Sequence, residues 1–277
     1  MSVDLSLPAP KSSGITENGT SWSRYGEGPT LVLLHGVGMN QHVWKPEIAE
    51  LDTHFEILTY DMWGHGESLL PDRDLDLSDY TSQLLDLLNE LEIEEVHLAG
   101  HSMGGLIALD FATNHPTRCL SVSALNSVFQ RTSEQRVAVQ KRAQDLADGN
   151  VTVNITETLE RWFGTTGTHP HGHAEELART LLESVNPAGY AAAYQVFANA
   201  DEIHSHSLQH LPVPALFFTG ELDPNSTPAM SEAMAALVPN SQGAVLSGER
   251  HMMTLTAPTY VSDAIRDFIN SVAPITD

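Results

Sequence analysis

The hydrophobic and polar positions of this chain change period twice, which divides it into three stretches. Between residues 30 and 128, short apolar runs alternate with segments of helical period. The runs Thr30-Leu31-Val32-Leu33-Leu34-His35, Phe55 to Asp61, Val96 to Ala99 and Leu120 to Leu125 predict strands, the first typical of a central parallel strand buried on both faces. Val43, Trp44, Ile48 and Leu51 mark a helix between the first two strands. Leu84, Leu85, Leu88 and Leu91 form the apolar face of a second, with Ser78 as its expected cap. A third helix spans 103–114 and should stop at Asn114-His115-Pro116. Upstream, Asn18-Gly19 is a two-residue hairpin signal, and residues 1–12 read as a loose arm.

At about residue 129 the alternation stops. Helical patterns follow one another over 133–148, 155–163, 173–185 and 187–199, interrupted by Gly149-Asn150, by Gly164 to Gly172 and by Asn186-Pro187. Strand–helix order then returns with a strand at 215–219, a helix near 227–237, a strand at 244–246 and a last helix near 257–272. Strands alternating with helices on both sides of an all-helical insert predict an α/β fold, a doubly wound and mostly parallel sheet. Residues 1–128 and 206–277 would form its core, and 129–205 a helical lid.

Composition narrows the partners. The 277 residues hold 36 Asp+Glu against 13 Lys+Arg, a formal net charge of −23. That balance argues against binding nucleic acid or an anionic membrane, both of which need a positive footprint. Acidic runs such as Asp72-Arg73-Asp74-Leu75-Asp76 read as solvated surface. No apolar run approaches the roughly 20 residues needed to span a bilayer. The N-terminus lacks a basic segment followed by a long apolar one, so a cytoplasmic location is expected. Cys119, the single cysteine, excludes an intramolecular disulfide and a multi-cysteine zinc site.

Candidate chemistry sits at predicted strand ends, where functional groups gather in a doubly wound sheet. Gly100-His101-Ser102-Met103-Gly104 joins the strand at 96–99 to the following helix and has the form G-x-S-x-G. In that strand–turn–helix setting the pattern forms a sharp turn that holds a serine hydroxyl proud of the sheet, and glycine is needed on either side because the backbone leaves no room for bulk. A serine nucleophile needs a base, itself oriented by a carboxylate. His251 lies beyond the last strand and Asp223 beyond the one before it, with Glu221 as the alternative acid. The backbone N–H of Met103 and one from the glycine-rich loop His35-Gly36-Val37-Gly38-Met39, that of Val37, would form an oxyanion hole. His35 itself would hold this loop through its ring nitrogens. No cofactor is required.

The order Ser102, Asp223, His251, together with the elbow and the turn Asp61-Met62-Trp63-Gly64-His65-Gly66-Glu67-Ser68, resembles the α/β-hydrolase superfamily over nearly the whole chain. Glu160-Arg161-Trp162-Phe163 and Asn186 to Ala193 are similar to the lid helices of 3-oxoadipate enol-lactonases. The resemblance implies a serine hydrolase cleaving a small carboxylic ester or (enol-)lactone through an acyl-enzyme. The same triad serves carbon–carbon bond hydrolases of ring-cleavage products and amide hydrolases or perhydrolases, and the fold also carries non-catalytic binding modules. The lid would choose the substrate, a small molecule. Trp162, Tyr190 and Tyr194 are candidates for an apolar pocket, and Arg131 and Arg161 for a substrate carboxylate. The lid holds six of the 13 basic residues but only ten of the 36 acidic ones, so an anion is repelled less there. His169-Pro170-His171-Gly172-His173 and His204-Ser205-His206 invite a metal reading, but proline, glycine and the lack of nearby cysteine argue against it, and no metal is expected.

Overall fold

The computed structural model describes residues 9–149, 153–164 and 172–272. Its strands are β1 (Ser12–Ile15), β2 (Ser21–Tyr25), β3 (Thr30–Leu34), β4 (Glu56–Tyr60), β5 (Val96–His101), β6 (Cys119–Leu125), β7 (Ala215–Gly220) and β8 (Ser241–Leu246). They form one eight-stranded sheet in the order β1-β2-β4-β3-β5-β6-β7-β8. β1 and β2 pair antiparallel, β2 pairs antiparallel with β4, and every pair from β4 to β8 is parallel. The hairpin turns on Gly19, whose φ of 81° suits glycine.

Burial explains the apolar runs. All six residues of β5 are buried, as are all six of β7 and all but Leu120 of β6. The sheet is flanked by α1 (Lys45–Leu51), α2 (Leu77–Glu90), α3 (Met103–Asn114), α8 (Pro228–Leu237), the short α9 (Met253–Thr256) and α10 (Pro258–Val272). At roughly 1.5–3 kcal/mol for each large apolar side chain removed from water, this layer supplies the driving force of the fold. The helix α3 is buried for its first ten residues, so it shows little one-sided patterning.

One local expectation is corrected. The cap of α2 is Asp76, not Ser78. Asp76 is extended, its carboxylate accepts from the Asp79 N–H, and the Asp79 side chain accepts in return from the Asp76 N–H. That reciprocal box satisfies two N–H groups of the first turn, more than a serine inside the helix can. Its acid lay within a charge run that reads as plain surface.

Between β6 and β7 the chain forms α4 (Ser133–Ala147), α5 (Ile155–Phe163), α6 (Gly172–Ser184) and α7 (Pro187–Asn199). Thr132 with Gln135, Asn154 and Asn186 cap α4, α5 and α7. The two ends of this segment are clasped at Asp201. Its carbonyl accepts from the Gln130 N–H, and its carboxylate takes the Arg131 N–H and the Arg131 guanidinium at 2.9 and 3.1 Å.

The chain visits β3 and β4 on one side and then crosses to β5, so strand order reverses between β3 and β5. A crevice opens at such a switch point, beyond the carboxyl ends of the strands. The loops after β3 and β5 meet there.

Candidate active site

The turn after β5 is forced by contact. A Cβ on Gly100 would lie 2.1 Å from the Gly104 carbonyl oxygen, and one on Gly104 would lie 2.2 Å from that of Leu34. Neither position accepts a side chain. Ser102 between them takes φ 57° and ψ −117°, a backbone conformation costing an ordinary residue about 1–3 kcal/mol. The neighbours hold it: the Ser102 N–H donates to the Leu125 carbonyl at 2.8 Å, and its own carbonyl accepts from the Gly105 N–H. The hydroxyl therefore stands at the N-terminus of α3, where the helix dipole favours developing negative charge.

His251 and Asp223 meet on the same side. His251 Nδ1 donates to Asp223 Oδ2 at 2.8 Å, and both side chains are almost fully buried. The same Oδ2 accepts from Asn126 Nδ2 at 2.8 Å, while Oδ1 accepts from the N–H groups of Asn225 and Ser226. Burial favours the protonated acid, but the charge of His251 and these hydrogen bonds outweigh it and hold the Asp223 carboxyl below its ordinary value. Glu221 instead faces Ser247 and the Gly248 N–H. Asn126, just beyond β6 with φ 47°, positions Asp223 and belongs to no motif legible in the chain.

His101 ties base to elbow. Its Nε2–H donates to the His251 carbonyl at 2.7 Å and the two rings stand 4.9 Å apart. Burial pushes the His101 ring down to about 3, so it stays neutral in this role.

The loop after β3 is held by two histidines acting reciprocally. His35 Nδ1–H donates to the Gly36 carbonyl and its Nε2 accepts from the Met62 N–H at 2.9 Å. His65 Nε2 accepts from the Gly38 N–H at 3.1 Å while Nδ1–H donates to the Trp63 carbonyl. Each ring thus needs one bare nitrogen. Burial enforces this by pushing His35 down to about 4 and His65 to about 3. Gly36 keeps the loop close to the elbow: a Cβ there would lie 3.0 Å from Ser102 Cβ, tighter than ordinary contact. The N–H groups of Val37 and Met103 donate to no acceptor among the described residues.

The helical segment reaches this floor at several points. The Trp162 ring lies 5.9 Å from the His251 ring, and Gly164 at the end of α5 passes close to the Arg250 side chain. Tyr190 packs on Gly38, where a Cβ would come within 2.8 Å of its ring, and Gly189 abuts the Gly64 backbone. The helical segment also borders a cavity of about 1070 Å³. Arg131, Arg161, Tyr194 and Phe197 contribute to its wall, and Pro224-Asn225, directly after Asp223, to its floor.

The candidate lid residues therefore separate. Tyr194 and Arg161 line the cavity. Trp162 covers the His251 ring, whereas Tyr190 is buried against the loop and stacks on Tyr194 at 5.8 Å. Arg131 lines the cavity, but its guanidinium bonds to Asp201 and the Phe197 carbonyl and lies over the Phe197 ring at 4.4 Å. Sequence reading missed Arg142, which lies on the cavity wall with Gln135, Ala138 and Val139 at helical spacing on α4. Its guanidinium lies over Tyr194 and reaches Thr158 and Glu157. The helical face at 135, 138/139 and 142 was the available signal.

His169 and His171 lie outside the described residues. His173 faces Glu176, and His204 Nε2–H donates to the Leu106 carbonyl. Among the described residues no three His, Cys, Asp or Glu side chains gather as a metal site would need. Cys119 is buried and its thiol is pushed up to about 12, which makes it a poor nucleophile.

Comparison with known proteins agrees with this fold. Residues 29–258 match the family of the alpha/beta hydrolase fold. The chain is 37% identical over 246 residues to (E)-2-((N-methylformamido)methylene)succinate hydrolase of Acinetobacter baylyi, covering 89% of this chain and 92% of that protein. It is 26% identical to 3-oxoadipate enol-lactonase 1 of the same organism, over 88% and 90% of the two chains. A thermophilic esterase from Thermogutta terrifontis, solved with malate bound, superposes with a TM-score of 0.83 at 26% identity, over 92% of this chain and 94% of its own. A model match over most of the chain, a relative at this identity and a shared fold place the protein in the α/β-hydrolase family.

Proposed function

We propose that the protein is a serine hydrolase of small carboxylate-bearing esters or lactones, with residues 129–205 acting as the lid that chooses among them. The observation that carries this reading is the buried Asp223–His251 pair at 2.8 Å, tied through His101 to the strained elbow at Ser102. His251 removes the Ser102 proton as Oγ attacks the carbonyl carbon. Asp223 fixes the ring with Nδ1 protonated, leaving Nε2 as the base. The Val37 and Met103 N–H groups receive the oxyanion. His251 returns the proton to the leaving group, and water activated by the same ring then releases the acid and restores Ser102.

Arg142 and Arg161 would receive a carboxylate of the substrate, with Arg131 stiffening the wall through Asp201. Two of the relatives are hydrolases of carboxylate-bearing molecules, a substituted succinate and 3-oxoadipate enol-lactone. The formamido group in the first favours a second reading, in which the same triad cleaves an amide-type bond in such an acid.

Labelling with a fluorophosphonate, followed by turnover of p-nitrophenyl esters, lactones, enol-lactones and N-formyl enamides, tests both readings. Ser102 is expected to be the labelled residue, and Ser102→Ala is expected to remain folded and to lose at least about a thousandfold in kcat. Unlabelled protein, or near-normal turnover by Ser102→Ala, would sink the mechanism. The ranking of kcat/KM across the panel decides between ester and amide.

A further inference from the structure

The charges around the lid cavity do not balance, and one carboxylate occupies the place where an incoming one would be drawn. Arg131 is matched by Asp201, and Lys141 by Asp145. Arg142 and Arg161, by contrast, share a single carboxylate among the described residues: Glu157 Oε1 lies 3.5 Å from Arg142 Nη1 and 4.0 Å from Arg161 Nη1. Two guanidinium groups facing one carboxylate leave a positive charge unmatched, in a chain whose net charge is −23. Arg142 Nε is also buried with no partner. Asn154 Nδ2 donates to the other Glu157 oxygen at 3.2 Å, which steadies the carboxylate in front of the two arginines.

We propose that Glu157 is a specificity-determining gate, an internal carboxylate that holds Arg142 and Arg161 apart until a substrate carboxylate takes its place. The inference rests on the reading that the cavity receives the anionic end of the substrate. Three features suit Glu157 to the exchange. Its side chain is 59% exposed, so it can swing into water without a desolvation cost. An ion pair this open contributes little, so displacing it is easy. A planar substrate carboxylate can then sit between the two guanidinium groups with shorter, forked bonds than Glu157 makes. The gate admits only an anion whose bonds to the two guanidinium groups exceed those of Glu157, whereas a neutral group does not compete for them and leaves the pair closed. Trp162, next to Arg161 on α5, lies against the His251 ring, and Pro224-Asn225 of the cavity lining directly follow Asp223.

The test is Glu157→Gln, which keeps the side-chain shape and the oxygen that faces Asn154 while removing the charge. For an ester carrying a free carboxylate, KM is expected to fall about three- to fivefold with kcat unchanged, the scale set by an exposed ion pair. KM for the neutral ester of the same acid is expected to stay constant. Succinate, used as a non-reacting probe by calorimetry, is expected to bind more tightly to the variant by the same factor. An unchanged or raised KM for the charged ester, with unchanged succinate affinity, overturns the gate. Arg142→Met separates the two levels: it is expected to raise KM for the charged ester alone. If it does so while Glu157→Gln has no effect, only the gate fails. If neither variant separates charged from neutral esters, the anion reading of the cavity fails and the gate falls with it.

Discussion

The floor at the carboxyl ends of the strands and the helical segment above it are built on different principles. On the floor each group is fixed by several neighbours. Ser102 is held by glycines that admit no side chain, Asp223 accepts four hydrogen bonds, and the 36–39 loop hangs on two histidines of fixed tautomer. In the helical segment, α4 buries only Ala143 and Leu146, and two long side chains of its cavity wall, Arg142 and Arg161, pair with the exposed Glu157. The contrast teaches where precision and adaptability are separated. Chemistry needs reacting atoms held to fractions of an ångström, whereas discrimination among small acids needs a wall that can re-pair its charges. This helical segment, the proposed lid, is also the region expected to open first, since α4 buries few apolar side chains.

The strongest way to break this comparison is at the proposed triad. Asp223→Asn retains the shape of the side chain but makes His251 Nδ1 face a group that can donate, which favours the wrong tautomer. A loss of about 10³- to 10⁴-fold in kcat is expected with KM nearly unchanged. A large rise in KM instead would mean that the floor also selects substrate, and the division of labour would not hold.

Acid sharpens it next. Burial pushes His35 and His97 down to about 4, and His65 and His101 to about 3, so the folded protein binds fewer protons there than the unfolded chain. The unfolded rings take up protons below about pH 6.5. Stability from these four groups is therefore complete above that pH and is lost progressively as pH falls toward about 4 and 3. Between pH 7.5 and 5 the loss is on the order of 2 kcal/mol per ring as an upper bound. Urea midpoints, measured in roughly 0.5 M salt to screen repulsion among surface carboxylates, should fall over this range. Replacing His97, which is remote from the oxyanion loop and bonds Ser121, with Gln should flatten the slope. An unchanged slope would show that the His97 ring does not contribute to acid stability.

The smallest expected effect lies in the lid. Thr132→Ala removes the reciprocal cap of α4, at about 1 kcal/mol. Hydrogen exchange should speed up in α4 and leave β5 and α3 unchanged, while KM rises and kcat stays within about twofold. Equal acceleration in the strands would mean that lid and floor unfold as one unit.

Much of the fold and the floor could be read from residues alone, because the governing constraints are local. A continuously apolar run between glycine-rich turns has few alternatives to a buried parallel strand, and Gly100 and Gly104 flank Ser102 because the elbow has no room for a Cβ. Asp223 and His251 follow from strand ends in chain order. The expected cap at Ser78 failed because Asp76 and Asp79 satisfy each other as well as the helix, a reciprocity that looks like ordinary surface charge in one dimension. Tertiary structure alone decided the rest. Asn126 meets Asp223 across 97 residues and His101 meets the His251 carbonyl across 150. Tyr190 turns inward onto Gly38 where helical spacing allowed the cavity, and Arg131 is drawn to Asp201 while Arg142 and Arg161 are left to share Glu157. Backbone geometry is written into short stretches of sequence, whereas the pairing of long charged side chains depends on which helices come to face each other.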